Sequence, residues 1–358
     1  MDGYIIRART SSGKRRAAAC RSSAARPAEL ATLWSTAAWR LASRGVPRRT
    51  IESMTRRQLL AGAVLAPALR ARTGIDKSRI SAITDEIGLS TDDSIAFAHK
   101  YGLQWVELRN EPSLKKEYFT LPEAQVKADA LRFAREGLKV SFLNTSLLKF
   151  AWPGTEPPLR RPETPEARAK RLEAEKARWD RRMDDLRSAI QCAHAMGCDK
   201  VRVFTGNRTQ EPAALYPLIA DTLGEMARAA ETEKVFLLIE NEASQNVATA
   251  KELAENLRLI PTKWVACNWD PHNAYAKEPA YPDGYRSLPP KRILNIQIKA
   301  KGVMPESPEK EDWKTIFQAL DKDRYAYRIG LETHIFDGTL IEAAHKSMEE
   351  IMHIVGRL

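Results

Sequence analysis

Four acidic or amide side chains each stand at the carboxyl end of a short apolar run: Glu240, Asp270, Gln297 and Glu332. They recur at intervals of 30, 27 and 35 residues. Three carboxylates and an amide oxygen form a hard oxygen donor set, which suits Mg²⁺ or Mn²⁺ better than zinc. Carboxylates brought together without a cation would raise the pKa of at least one of them. The pattern therefore predicts one hard divalent metal ion, Mn²⁺ or Mg²⁺.

The spacing of these runs is typical of strands that alternate with helices. Apolar strand-like runs and amphipathic helical stretches alternate after residue 73, an order that predicts a parallel sheet. Eight strands are predicted, beginning near residues 80, 103, 138, 200, 237, 264, 293 and 327. One helical stretch runs over 165–196, and the turn-rich stretch between the sixth and seventh strands holds at most a short helix. We predict an α/β fold, a single (β/α)8 TIM barrel with its site at the carboxyl ends of the strands.

Positive charge is concentrated at the beginning of the chain. The formal net charge is +11 at pH 7. Residues 1–72 hold 15 Lys and Arg against 3 Asp and Glu, whereas residues 73–358 hold 42 against 43. A near-neutral barrel lacks the basic surface that a nucleic-acid enzyme needs, so no nucleic-acid partner is predicted. The predicted segments are a basic extension over 1–53, a signal segment over 54–72 and the barrel over 73–358.

The segment 54–72 resembles a twin-arginine export signal. Arg56 and Arg57 precede a short apolar stretch that ends in small residues. This stretch is too short for a stable membrane anchor, so it predicts an exported, periplasmic protein without stable membrane insertion. A buried helix near the amino-terminal face of the barrel is the alternative. Residues 1–53 show no core-forming pattern and are predicted to be disordered, or not translated if Met54 is the true start.

The four site residues also have an interpretation without a metal. Arg109, Arg202 and Lys299 are basic residues in predicted strands or at their ends. Ion pairs between these cations and the acids at the barrel mouth would explain the same pattern. Spacing alone leaves both interpretations open.

From about residue 80 to residue 354, the chain resembles the xylose isomerase-like sugar phosphate isomerase/epimerase superfamily of (β/α)8 barrels. The motifs that carry the resemblance are Ile83–Glu86, Val106–Arg109, Leu238–Asn241, Asn268–Ala274, Ile296–Lys299 and Leu331–His334. The resemblance implies that the metal ligands are Glu240, Asp270, Gln297 and Glu332. It also implies that Glu240 and Glu332 are the acid/base pair.

The chain departs from the family pattern at two positions. Members usually carry His where this chain has Gln297, within a His-x-Lys-Asp pattern that here reads Gln297-Ile298-Lys299-Ala300. Many also carry His where this chain has Asn273. A glutamine coordinates metals through its carbonyl oxygen, so the site becomes harder but is not abolished.

The implied activity is a sugar isomerase or epimerase that acts through an enediolate. A metal polarises the sugar carbonyl while a carboxylate removes the adjacent proton. With Glu240 and Glu332 on either side of the sugar, one removes the proton and the other returns it for epimerisation, or one moves it between carbons for isomerisation. The predicted partner is a small sugar or keto-sugar, and a homo-oligomer is compatible with this activity.

Several further side chains are predicted to contact the sugar at the same mouth: Glu107, Arg109, Lys299, His334, Asn273 and Trp152. For the charged members of this set, an ion pair around the ligands explains their position equally well. Trp152 lies in a Pro-rich loop after the third strand, where its ring stacks on a sugar or packs the loop down.

Three other functions compete with the isomerase. An apurinic-site endonuclease on this fold needs a histidine-rich trinuclear zinc cluster, but only His272 and His334 lie at strand ends, so this function is disfavoured. A lyase or hydratase acting on a keto-sugar or glycoside would use the same metal and bases. A sugar-binding relic without turnover is the alternative that is not an enzyme.

Overall fold

Ten strands build the sheets in the part of the chain that the structure describes. They are β1 (Ile80–Ala82), β2 (Trp105–Leu108), β3 (Asn110–Glu111), β4 (Lys116–Glu117), β5 (Lys139–Leu143), β6 (Lys200–Val203), β7 (Phe236–Glu240), β8 (Val265–Trp269), β9 (Ile293–Lys299) and β10 (Arg328–Glu332). Eight of them form a parallel sheet in the order β1-β10-β9-β8-β7-β6-β5-β2, and β3 and β4 form a small antiparallel pair. A parallel bridge between Ile83 and Glu107 joins the two edges of the eight-stranded sheet, so the barrel is nearly closed. The predicted TIM barrel is confirmed.

In the same described part of the chain, eight helices of ten residues or more surround the strands. They are α1 (Thr91–Tyr101), α2 (Glu123–Arg135), α3 (Pro165–Asp180), α4 (Arg182–Ala195), α5 (Tyr216–Thr232), α6 (Ala250–Leu259), α7 (Trp313–Lys322) and α8 (Leu340–Val355). The helix predicted over 165–196 is two helices, because Arg181 leaves the helical conformation with ψ at 7°. Between β8 and β9 the chain forms only short helical turns, as the turn-rich sequence predicts.

Side chains inside the barrel change from apolar to charged along its axis. Phe142, Leu238, Ala266 and Leu294 form a small apolar cluster, separate from the large core of the fold. Alternate residues of one strand share a face, so the residues two positions after Phe142 and Leu238 also point inward. These are Asn144 and Glu240, and both are buried. The strand ends therefore supply polar groups to the mouth, and the large apolar core stabilises the barrel.

The computed structural model describes residues 74–159 and 161–358. The described residues belong to one compact unit. The basic extension over 1–53 and the signal segment over 54–72 lie outside the described residues. Within the described residues, none of the helices is long and apolar enough to cross a membrane.

Candidate active site at the barrel mouth

Three of the predicted metal ligands meet at the carboxyl ends of β7, β8 and β10, which belong to one run of neighbouring strands with β9 between β8 and β10. Glu240 ends β7, Asp270 follows β8 and Glu332 ends β10. One carboxylate oxygen of each lies within 4.8 Å of those of the other two, and all three side chains are buried. Parallel strands place these ends on one face of the barrel, which explains why residues far apart in sequence converge.

Two basic side chains contact this acidic cluster. Lys299 Nζ lies 3.4 Å from Asp270 Oδ2 and 3.7 Å from Glu332 Oε2. Arg202 Nη1 lies 2.9 Å from Glu240 Oε2. The ion pairs that the sequence offered as a metal-free alternative are therefore present. The two contacts of Lys299 are ion pairs without hydrogen bonds, because Asp270 Oδ2 and Glu332 Oε2 are buried and have no hydrogen-bond partner.

Two acids of the first strand's motif, to which the sequence assigned no role, complete the charged mouth. Arg109 pairs with Asp85 at 2.9 Å and Glu86 at 2.8 Å, and lies 3.5 Å from Glu332. Glu86 also accepts a hydrogen bond from the backbone N–H of His334 at 2.8 Å. The sequence could have indicated Asp85 and Glu86 as site residues, because they form an acidic pair directly after the apolar run of β1.

The charges of the mouth do not balance. Five carboxyl groups, namely Asp85, Glu86, Glu240, Asp270 and Glu332, face the three cations Arg109, Arg202 and Lys299. If all eight groups were ionised, the excess would be two negative charges. A divalent cation would neutralise it, so the donor set and its charge both fit a metal ion.

The acids respond differently to this environment. Burial raises the pKa of Asp270 to about 7, against the opposing effect of Lys299. Burial also raises the pKa of Glu240, although Arg202 opposes the shift. For Glu332, burial acts in the same direction, but Lys299, Arg202 and Arg109 together hold its pKa far below the usual range. In the absence of a metal, Glu332 is thus the acid most firmly held as a carboxylate.

The fourth predicted ligand, Gln297, is paired in register with Gly330, two residues before the position of Glu332 on β10. Its Nε2 donates to Glu107 Oε2 at 2.7 Å and to Asn144 Oδ1 at 3.3 Å. Its carbonyl oxygen is buried and has no hydrogen-bond partner. That oxygen remains available to a cation, and metal ligation by Gln297 stays a prediction.

An open pocket of about 530 Å³ lies beside the cluster. Its walls include three residues predicted to contact substrate, Lys299, His334 and Asn273, and others that the sequence did not single out: His272, Lys301, Glu309, Thr333, Ile335, Phe336 and Asp337. Burial lowers the pKa of His334 to about 4, and Lys299 adds to this effect. His334 is therefore neutral at pH 7 and offers both a donor and an acceptor to the pocket. The lining residues 335–337 lie in the loop after β10, which has no hydrophobic periodicity, so the sequence pattern did not indicate them as pocket residues.

Two residues predicted to contact substrate have other surroundings. Glu107 is fully buried inside the barrel, where side chains rather than the pocket surround it. Trp152 is 2% exposed, donates to the Leu148 carbonyl oxygen and packs against Trp179 with ring centroids 5.2 Å apart. The Pro-rich loop packs down, which is one of its two predicted arrangements, and neither Trp152 nor Glu107 lines the pocket. Contact of either residue with a sugar stays a prediction.

Comparisons with known proteins agree on the fold. A family model described as a xylose isomerase-like TIM barrel matches residues 95–353. No curated protein matches the chain. The IolI protein with a bound zinc atom has a TM-score of 0.56 at 14% identity, over 78% of this chain and 98% of that one.

Two further solved structures have the same architecture. A xylose isomerase-like TIM barrel protein from Mycobacterium smegmatis in complex with magnesium has a TM-score of 0.55 at 14% identity, over 78% of this chain and 97% of its own. A D-allulose 3-epimerase from Methylomonas sp. in complex with D-allulose has a TM-score of 0.56 at 14% identity, over 80% and 99%. At these identities the likeness establishes the fold alone.

Proposed function

The chain belongs to the xylose isomerase-like TIM barrel family, and from this premise we propose that it is a divalent-metal-dependent sugar isomerase or epimerase. The observation that carries the proposal is the cluster of three buried carboxylates, Glu240, Asp270 and Glu332, with oxygens within 4.8 Å of one another beside an open pocket. Neighbours of the same fold include an epimerase in complex with D-allulose, which supports a sugar as the substrate.

The proposed metal site uses these carboxylates together with Gln297. All four ligands would bind through oxygen, so Mn²⁺ or Mg²⁺ suits the set better than a softer metal. The bound ion would supply a Lewis acid for the carbonyl and adjacent oxygen of the sugar. Three buried oxygens without a hydrogen bond support this assignment. The Gln297 carbonyl oxygen lacks a hydrogen-bond partner, and Asp270 Oδ2 and Glu332 Oε2 have an ion pair with Lys299 but no hydrogen bond. Buried polar groups are costly unless donors or cations satisfy them.

Proton transfer is assigned to Glu240 and Glu332. Arg202 and Asn268 hold Glu240 Oε2, at 2.9 and 2.6 Å, while Oε1 has only a long contact of 3.4 Å from Asn273. The less engaged oxygen of Glu240 is thus free to bind or to accept a proton. Because its pKa is raised while that of Glu332 is lowered, Glu240 is the stronger base of the two before metal binding.

The pocket residues orient the sugar in this proposal. Lys299 carries a permanent positive charge at neutral pH, because its carboxylate neighbours outweigh the effect of burial on its pKa. It would donate to a sugar oxygen that gains negative charge. Neutral His334 and the amide of Asn273 would bind hydroxyl groups along the pocket wall.

The proposal is tested with a panel of sugars and keto-sugars incubated in D₂O with Mn²⁺ and followed by NMR. Deuterium at the carbon beside the carbonyl, together with an epimer or an aldose–ketose pair, is the expected result. An unsaturated or hydrated product would instead identify a lyase or hydratase. Binding of a sugar without any exchange would identify a non-catalytic relic.

Export to the periplasm remains part of the proposal. It rests on the paired Arg56 and Arg57 and on the short apolar stretch that follows them.

A further inference from the structure

A polar layer lies inside the barrel. It consists of Ser81, Glu107, Asn144, Asn268, Asn295 and Gln297, none of which is more than 1% exposed. TIM barrel interiors are usually filled by bulky branched apolar side chains. Burying six polar side chains is costly unless they hydrogen-bond to one another, so their pairing has to be specific.

Glu107 is the centre of this layer. Its two carboxylate oxygens accept hydrogen bonds from four side chains: Ser81 Oγ at 2.7 Å, Gln297 Nε2 at 2.7 Å, Asn144 Nδ2 at 3.0 Å and Asn295 Nδ2 at 3.3 Å. Glycine at position 330 makes room for it, because a Cβ there would lie 2.1 Å from Glu107 Oε1. Among the described residues Glu107 forms no ion pair, so uncharged donors alone surround it.

The first consequence concerns the amide of Gln297. A carboxylate only accepts hydrogen bonds, so the amide group beside it must present its N–H₂ side. Both hydrogens of Gln297 Nε2 then have acceptors, Glu107 Oε2 and Asn144 Oδ1. The carbonyl oxygen of Gln297 consequently points away from Glu107 and is the unpartnered atom.

The second consequence reaches Glu240 through two amides. Asn295 Nδ2 donates both to Glu107 Oε1 and, at 3.0 Å, to Asn268 Oδ1. With its oxygen so occupied, Asn268 presents Nδ2 to Glu240 Oε2 at 2.6 Å. The same orientation follows from the other end, because the Glu240 carboxylate also requires an N–H donor.

We infer that Glu107 is a positioning residue of the proposed metal site, which turns the Gln297 carbonyl oxygen toward the cation and fixes Glu240 through Asn295 and Asn268. The inference rests on the proposed function. Removal of the acceptor at position 107 allows the Gln297 amide to flip, and its N–H₂ group would then face the metal. Outer partners of this kind typically change metal affinity by about 10–100-fold.

The test is Mn²⁺ affinity, measured by isothermal titration and by the EPR signal of free Mn²⁺, in wild type and in Glu107→Gln. The substitution keeps the shape beside Gly330 but replaces one acceptor by a donor. We expect affinity to fall by about 10–100-fold. The matched control is Glu111→Gln, because Glu111 is likewise buried but accepts hydrogen bonds from Thr91 and Leu114, outside the polar layer. The Mn²⁺ affinity of this variant should equal that of wild type.

A double-variant cycle separates positioning from a general structural effect. The cycle compares the loss of Mn²⁺ affinity that Glu107→Gln causes in two backgrounds, wild type and Gln297→Ala. If Glu107 acts partly through Gln297, the loss should be smaller in the Gln297→Ala background. Fully additive losses would contradict that arm of the inference. Melting temperatures in EDTA report any change in the stability of the metal-free fold.

Each outcome decides between the two proposals. No Mn²⁺ binding by wild type would overturn the metal site and this inference together. Wild-type binding with unchanged affinity in folded Glu107→Gln would overturn the inference alone. If Glu107→Gln does not fold, Asn295→Ala is the second variant. It removes the link from Glu107 to Glu240 and keeps the Glu107 carboxylate. We expect weaker Mn²⁺ binding by this variant, and unchanged binding would overturn the inference.

Discussion

Lys299 occupies the position where its charge competes most directly with a metal ion. Its Nζ lies 3.4 Å from Asp270 Oδ2 and 3.7 Å from Glu332 Oε2, two oxygens assigned to the cation. At an effective dielectric constant of about 20, unit charges about 4 Å apart interact by about 4 kcal/mol. The ammonium therefore stabilises the metal-free acids and opposes the entry of Mn²⁺.

Lys299→Met removes this charge while keeping most of the side-chain volume, and we expect opposite effects with and without metal. In EDTA, loss of one partner of a buried ion pair costs about 3 kcal/mol, at the lower end of the usual range. For a barrel of this size that corresponds to a fall in melting temperature of about 5 °C. With Mn²⁺ present, the repulsion is gone and affinity should rise by at least about tenfold, or about 1.4 kcal/mol.

The assay combines thermal unfolding in EDTA and in Mn²⁺ with isothermal titration of Mn²⁺. Lys301→Met is the control, because Lys301 lines the same pocket, is exposed and forms no ion pair among the described residues. It should change neither quantity. Weaker Mn²⁺ binding by Lys299→Met would refute the competition between ammonium and metal.

The remaining predictions concern a proton, the base and the export segment. Because burial raises the pKa of Asp270 from 3.8 to about 7, Mn²⁺ must displace its proton below that pH, so affinity should fall by up to about tenfold per pH unit in titrations from pH 7 to 5. The same shift stabilises the metal-free fold below about pH 4, and this contribution should be lost in melting experiments as the pH rises through 7. Glu332→Gln keeps a coordinating oxygen but not the base, so proton exchange into a sugar should drop by about 10²–10⁴-fold while part of the Mn²⁺ affinity remains. Changing both Arg56 and Arg57 to Lys should leave the protein in the cytoplasm on cell fractionation.

Each of these has an outcome that contradicts it. Affinity for Mn²⁺ that does not change between pH 5 and 7 would mean that Asp270 is not the protonated ligand. Full proton exchange by Glu332→Gln would exclude Glu332 from proton transfer and leave Glu240, or the neighbouring Glu242 two residues after it, as the base. Unchanged periplasmic delivery of the double Arg variant would exclude the twin-arginine pathway.

The sequence was sufficient for the barrel and for the convergence of its acids. Each strand is an apolar run that ends in polar residues, and parallel strands place such ends on one face. Glu240, Asp270 and Glu332 could therefore be placed together without coordinates. One break did not follow from periodicity, because a single non-helical residue, Arg181, splits the continuous pattern predicted over 165–196.

Depth inside the barrel could not be predicted, because it depends on the register between strands. Strand direction places Gln297 deeper than Lys299, but only the pairing of Gln297 with Gly330 and of Lys299 with Glu332 shows which residues of the next strand lie at the same depth. The same reason explains why the sequence could not show that side chains enclose Glu107. For Trp152, stacking and packing were equally compatible with the sequence, and in the structure its ring packs against Trp179.

If the chain binds the proposed metal, the metal-bound and ion-paired arrangements would be two states of one site rather than two different sites. Asp270 and Glu332 would supply the oxygens for both, and Lys299 would be the group that moves between them. Arg202 and Arg109 contact the outer oxygens Glu240 Oε2 and Glu332 Oε1, so they remain compatible with a bound ion. A lysine side chain that leaves the carboxylates has the open pocket beside it, which Lys299 already lines. Metal entry would thus deliver the ammonium to the place where the proposed sugar binds, and this links cation binding to the arrangement of the substrate site.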